Sequence, residues 1–171
     1  MKPVILIGFM GSGKSTIGKN LANKLNLELK EMDQLIEKRL EMSIAKLFET
    51  KGEDFFRNVE HHLLKEVISS EGVIATGGGV IVHEKNQEIL QNSDQVIYLN
   101  GQIETLYERI TQDKINNRPL ADSVNQTELL SLLTTRKKDY EKAANLIVNI
   151  DEKTVDEITQ EILIWLREEA Q

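Results

Sequence analysis

Short apolar runs recur along the chain, at VILI (4–7), LELKEM (27–32), VIAT (73–76), QVIYL (95–99) and NLIVNI (145–150). The first is unbroken and partly β-branched, which suits a strand covered on both faces, and the others predict four more strands. Between them the apolar spacing becomes helical. Ile17 to Leu25 has this period, DQLIEKRLE (33–41) carries Ile36 and Leu40 on one side, and GEDFFRNVEHHLLKEVISS (52–70) puts Phe56, Val59, Leu63 and Val67 on one face. In NQTELLSLLTTRKKDYEKAA (125–144) the stripe is Leu129, Leu133, Arg136 and Tyr140, so a cation interrupts an apolar face. Strands alternating with helices predict an α/β architecture with a parallel sheet and helices on both faces, binding ligands beyond the carboxyl ends of its strands. No repeat, low-complexity tract or linker divides the chain, so residues 1–171 are expected to form a single domain. The one long polar interruption, DKINNRPLADSVNQ (113–126), separates two helices and is expected to be a lid or binding loop.

Charge narrows the partners. With 21 Lys and Arg against 28 Asp and Glu, the net charge of −7 argues against a nucleic-acid surface, which is built mainly from cations. An anionic ligand must then be gripped by a few local cations. The chain has no Cys, which excludes disulfides and thiolate metal sites and fits a reducing cytoplasm. The apolar opening stops at Gly8 without a cleavage pattern, and no apolar run reaches the ~18 residues of a membrane span, so neither export nor a membrane is expected.

Directly after the first predicted strand comes Gly8-Phe9-Met10-Gly11-Ser12-Gly13-Lys14-Ser15, which fits G-x-x-x-x-G-K-[ST] in its strand-turn-helix context. Glycines let the backbone turn its N–H groups inward, and the following helix adds the positive end of its dipole. In this motif the Lys ammonium reaches the β/γ-phosphates and the next hydroxyl coordinates Mg²⁺. A plain Gly-rich turn is the bland alternative. The dinucleotide fingerprint G-x-G-x-x-G fits worse, because the order here is G-x-x-G-x-G and Thr16 stands where its last glycine would be. A triphosphate is the better ligand.

Other residues have two readings each. Asp33 ends the second strand candidate on the same rim as Lys14; it either N-caps the next helix or accepts a hydroxyl proton in phosphoryl transfer. Arg57 and Glu60 can pair at i,i+3 on a solvated helix flank, where such a pair contributes only a few tenths of a kcal/mol. His61 and His62 look like solvated helix positions without metal-ligand spacing. Gly77-Gly78-Gly79 after VIAT is either simple punctuation or a bare backbone that a ligand approaches closely. Arg136 either snorkels or meets an anion, since an unpaired buried guanidinium is strongly disfavoured. Arg118, before Pro119, is a solubilising loop cation or one that faces phosphates.

Taken in order, LIGFMGSGKSTIG, the acid-x-Asp of EMD, SIAKLFETKGEDFFRNVE, TGGG after a strand, RPL in the polar loop and the R-x-x-x-Y of RKKDYEKAA resemble the motifs of shikimate kinase over nearly the whole chain. The resemblance implies a P-loop three-layer sandwich with a five-stranded parallel sheet, order 2-3-1-4-5, and a nucleotide-kinase-like lid. It implies transfer of the γ-phosphoryl of Mg-ATP to the 3-hydroxyl of shikimate, on the route to aromatic amino acids. Gly11, Ser12, Gly13, Lys14, Ser15 and Thr16 would cradle the nucleotide, with Lys14 on its phosphates and Ser15 on Mg²⁺. Asp33 would bind the shikimate hydroxyls and act as base or orienter. Arg57, Arg136 and the Gly78-Gly79 backbone would complete the acceptor pocket, the two arginines on the carboxylate, with Glu60 steadying Arg57. Arg118 would close over the phosphates and Arg109 would lie near the adenine. The chain departs from the pattern at Glu31, where the family usually has Asp, and at RPLA, where RPLL is commoner. The implied protein is a cytoplasmic monomer that takes ATP and shikimate, with no nucleic-acid or membrane partner.

A kinase acting on gluconate or a nucleoside monophosphate is the nearest alternative, because fold alone does not fix function. A non-catalytic nucleotide switch would carry N-K-x-D, and the nearest string, Asn23-Lys24-Leu25-Asn26, lacks the Asp.

Overall fold

A computed structural model of the chain describes residues 1–112 and 125–171. Five strands, β1 (Val4–Ile7), β2 (Leu29–Glu31), β3 (Val73–Ala75), β4 (Val96–Asn100) and β5 (Leu146–Asn149), form one sheet in the order β2-β3-β1-β4-β5. All pairings are parallel, with Ile5 opposite Ile74 and Val96, and Tyr98 opposite Ile147. β1 coincides with its predicted run, β2, β3 and β5 are trimmed by one or two residues at their ends, and β4 is shifted by one. β1 and β3 are buried throughout, as continuous apolar runs require. β5, at an edge, alternates: Val148 is buried while Ile147 is about half exposed (47%).

The helices are α1 (Lys14–Leu25), α2 (Met32–Leu40), α3 (Ile44–Lys51), α4 (Glu53–Val67), α5 (Glu84–Gln91), α6 (Ile103–Gln112), α7 (Gln126–Ala143) and α8 (Val155–Glu169), with one 3₁₀ turn at Val80–Val82. α1 packs on α8 against one face, and α4, α5 and α7 pack in series on the other, as right-handed crossovers require. α2 and α3 pack on α4 and on each other, and α2 also touches β2.

Local chemistry sets the helix starts. Asn125 with Glu128 and Thr154 with Glu157 form capping boxes on α7 and α8, and the Ser43 hydroxyl accepts from the Lys46 N–H at the start of α3. The polar interruption expected over 113–126 therefore ends earlier, because Asn125 caps a helix that begins at Gln126. α1 begins at Lys14, earlier than the apolar spacing indicates, because Gly13 takes a left-handed conformation (φ 90°) that ends the loop. α2 begins at Met32, so Asp33 lies inside its first turn and is not its N-cap. Among the described residues no helix is long and apolar enough to cross a membrane.

Candidate active site

The carboxyl ends of β1, β2 and β3 open into one cleft of about 890 Å³. Its walls include Gly11, Gly13, Lys14, Ser15, Thr16, Asp33, Arg57, Gly78, Gly79, Arg109 and Arg136, drawn from six separated stretches of sequence. The cleft therefore gathers every described candidate except Ser12. Ser12 is fully buried beneath the loop, with its N–H donating to the Phe9 carbonyl at 3.2 Å. Arg118 lies outside the described residues.

The glycine loop is a backbone device. Gly8 and Gly11 take positive φ (153° and 80°), and a Cβ on Gly8 would sit 2.8 Å from both the Leu99 carbonyl oxygen and the Ser12 Oγ. Lys14 Nζ donates to the carbonyls of Gly8 (2.7 Å) and Phe9 (3.0 Å), so its ammonium is held against the loop. Ser15 and Thr16 are exposed in the first turn of α1, where N–H groups and the helix dipole favour an anion. The Arg109 guanidinium adds a cation 3.2 Å from where a Gly13 Cβ would stand.

The opposite wall is built from buried charge. Arg57 is 8% exposed and Glu60 fully buried, and Arg57 Nη1 donates to Glu60 Oε1 at 2.9 Å. This corrects the expectation of a solvated flank pair. α2, α3 and α5 all pack against α4, so this flank faces the protein and the cleft. Breaking such a pair by removing one partner typically costs about 3–5 kcal/mol. The Arg57 guanidinium also lies over the rings of Phe56 (5.2 Å) and Phe48 (5.9 Å).

Burial raises the Glu60 carboxyl to about 7; Arg57 pulls it down, Asp33 pushes it up and Arg136 pulls it down. Its Oε2 has no hydrogen-bond partner. Arg136 is 6% exposed, its Nε is also unpartnered, and its guanidinium lies 5.9 Å over the Phe9 ring. Two nearly buried guanidiniums thus face one cavity beside the buried Glu60, with the more exposed Glu53 carboxylate also 3.5 Å from Arg57 Nε, and an anionic ligand would give the inward guanidinium N–H groups further partners.

The glycine triplet is explained by protein atoms. A Cβ on Gly77 would stand 2.9 Å from Asp33 Oδ1 and 3.0 Å from Glu60 Oε2, one on Gly78 would stand 3.2 Å from the Met10 nitrogen, and one on Gly79 would overlap the Arg57 guanidinium. The sequence suggests a ligand approaching this turn; the structure shows that side chains and the phosphate loop already require it bare.

Several cleft residues escape the sequence reading. Phe48, Ile44 and Ala45 belong to α3, a helix of eight residues, and Val155 and Ile158 belong to the start of α8. A capping signal at Ser43 and Thr154 could locate these helices, but no local signal says that one end of each borders a cavity.

The family pattern for shikimate kinase matches residues 10–167. The chain belongs to the shikimate kinase family. A shikimate kinase of Enterococcus faecalis is 41% identical over 168 residues, covering 98% of this chain and all of that one. The structure of a shikimate kinase from Acinetobacter baumannii in complex with shikimate superposes with a TM-score of 0.92 at 33% identity, covering 99% of this chain and 94% of that one. A gluconokinase from Sinorhizobium meliloti shares the fold alone, at 18% identity, a TM-score of 0.63 and coverage of 98% and 93%. The order β2-β3-β1-β4-β5 is the one the family resemblance implies.

Proposed function

We propose that the protein transfers the γ-phosphoryl group of ATP to the 3-hydroxyl of shikimate, giving shikimate 3-phosphate and ADP. The observation that carries this reading is the convergence of Lys14, Asp33, Arg57 and Arg136 on one cleft. It joins a phosphate-binding loop, a carboxylate suited to a hydroxyl, and two guanidiniums suited to a carboxylate.

In the reaction the hydroxyl oxygen bonds to the γ-phosphorus, the bond to the β-phosphate oxygen breaks, and ADP leaves. Asp33 orients the hydroxyl and takes its proton. Lys14 and the N–H groups of Gly11, Gly13, Ser15 and Thr16 hold the phosphates, where fixed positive charge favours the transferring group. Arg57 and Arg136 hold the acceptor's carboxylate, Glu60 keeps Arg57 in place, and the Gly78-Gly79 backbone borders the ring. Arg109 lies on the nucleotide side, near the adenine.

Mg²⁺ fits the donor set, because Ser15 directly and Glu31 through water would offer oxygen ligands on the same cleft. When bound it neutralises phosphate charge.

A coupled assay of ADP release over shikimate, gluconate and nucleoside monophosphates tests the reading. Rapid release is expected with shikimate alone; faster turnover of gluconate or a nucleotide would overturn it.

A further inference from the structure

Tyr140 stands one turn beyond Arg136 on α7, on the same face, and is fully buried. Its hydroxyl donates to the Gly78 carbonyl oxygen, on the glycine turn that borders the cleft. The Arg136 guanidinium interacts with the same hydroxyl. Burial pushes the phenol well above its ordinary range, so the oxygen keeps its proton and stays a donor.

A hydroxyl has one proton and two lone pairs. With the proton given to Gly78, the lone pairs are left for a guanidinium N–H. One oxygen therefore sits between the cation of α7 and the backbone turn after β3.

The ring that carries this oxygen is itself fixed. It stacks on Tyr98 of β4 with centroids 5.0 Å apart and planes inclined by 22°, and Tyr98 donates to Asn100 Oδ1 at 3.1 Å. Gly78 in turn lies against the Met10 backbone of the phosphate loop.

We propose that Tyr140 is a positioning residue for the acceptor carboxylate, its hydroxyl setting the distance between the Arg136 guanidinium and the Gly78-Gly79 backbone. This rests on the reading of Arg136 as a carboxylate-binding residue. Arg136 has three donor nitrogens on a long stem, and its Nε has no hydrogen-bond partner. Without the tyrosine oxygen the cation keeps its charge but loses the contact that orients its planar fork, on which bidentate binding depends.

Tyr140→Phe removes the oxygen and keeps the stacked ring. Tyr98→Phe is the control, removing a hydroxyl from the same stack that does not reach the glycine turn. The expected result is a rise of about tenfold in KM for shikimate in Tyr140→Phe, with KM for ATP changed by less than about twofold. Its Tm should fall no further than that of Tyr98→Phe. In a cycle with Arg136→Lys the two changes should be strongly non-additive, since one residue acts through the other.

An unchanged KM for shikimate in a folded Tyr140→Phe protein overturns the proposal, as do two additive effects. If Arg136→Lys weakens shikimate binding while Tyr140→Phe does not, only the positioning role falls. If Arg136→Lys itself binds shikimate normally, the role of Arg136 and the positioning role fall together.

Discussion

The two sides of the cleft solve the same problem, holding an anion, in opposite ways. The nucleotide side is a contiguous stretch, Gly8 to Thr16, that uses backbone N–H groups, positive φ at glycines and the start of α1. The acceptor side is assembled from α2, α4, the turn after β3 and α7, and uses buried side-chain charge. Most of the first is one contiguous loop, to which α6 adds Arg109 beside Gly13, whereas the second draws its charged side chains from three separate helices. A contiguous loop tolerates change elsewhere; a convergent pocket transmits it.

The largest effect that would break this contrast is expected at Lys14. Lys14→Ala removes the one side-chain cation of the loop while leaving its glycines, so the domain should fold and turnover should drop at least ~10³-fold, about 4 kcal/mol. Steady-state assay with circular dichroism as the fold check decides it, and a folded variant with normal turnover would contradict the assignment.

The charge network of the acceptor side makes a prediction about stability. The Glu60 carboxyl is raised above its unfolded value of 4.5 to about 7, burial being the main cause. The folded state therefore holds more protons than the unfolded state between these values, so the contribution of Glu60 is fully present below about 4.5 and is lost as pH rises through about 7. Against Glu60→Gln, the wild type should lose on the order of 3 kcal/mol of relative stability across that window. Urea unfolding of both proteins at several pH values measures the difference; parallel curves would show that Glu60 titrates as an ordinary carboxyl.

Two neighbouring carboxylates sharpen the comparison further. Asp33 must meet a reacting hydroxyl, so Asp33→Glu should slow turnover about a hundredfold, ~2.7 kcal/mol. Glu31 lines the same cleft, and a carboxylate that would reach Mg²⁺ through water accommodates a change of one methylene. Glu31→Asp should therefore change turnover and Mg²⁺ requirement by less than about tenfold, ~1.4 kcal/mol. Rates at saturating ATP, shikimate and Mg²⁺ compare them directly, and a larger loss at Glu31 would reverse the two roles.

The same contrast explains what could be read in the sequence. β1, β3 and most of β4 are buried on both faces and appear as the apolar runs VILI, VIAT and QVIYL, whereas the half-buried β2 and the edge strand β5 show only as the interrupted runs LELKEM and NLIVNI. The phosphate loop was visible because its function is carried by spacing. The interruption of the α7 stripe by Arg136 pointed to an anion, and Arg136 does prove to be nearly buried at the cleft. Burial of Arg57 and Glu60 was not visible, because it depends on α2, α3 and α5 covering α4, which no periodicity within α4 encodes. The glycine triplet was legible as a close approach but not as an approach to Asp33, Glu60, Arg57 and the Met10 backbone. Asp33 reads as a possible cap because it follows a strand; the N-cap is Glu31, two residues earlier, and that shift turns the position of Asp33 from cap to cleft.

Calorimetric titration of ATP and of shikimate into both Lys14→Ala and Arg136→Lys tests most directly whether the two sides hold separate ligands. Lys14→Ala should weaken ATP binding and leave shikimate affinity within about threefold of wild type, while Arg136→Lys should weaken shikimate about tenfold or more with ATP unchanged. Loss of both affinities together in each folded variant would contradict the division of the cleft.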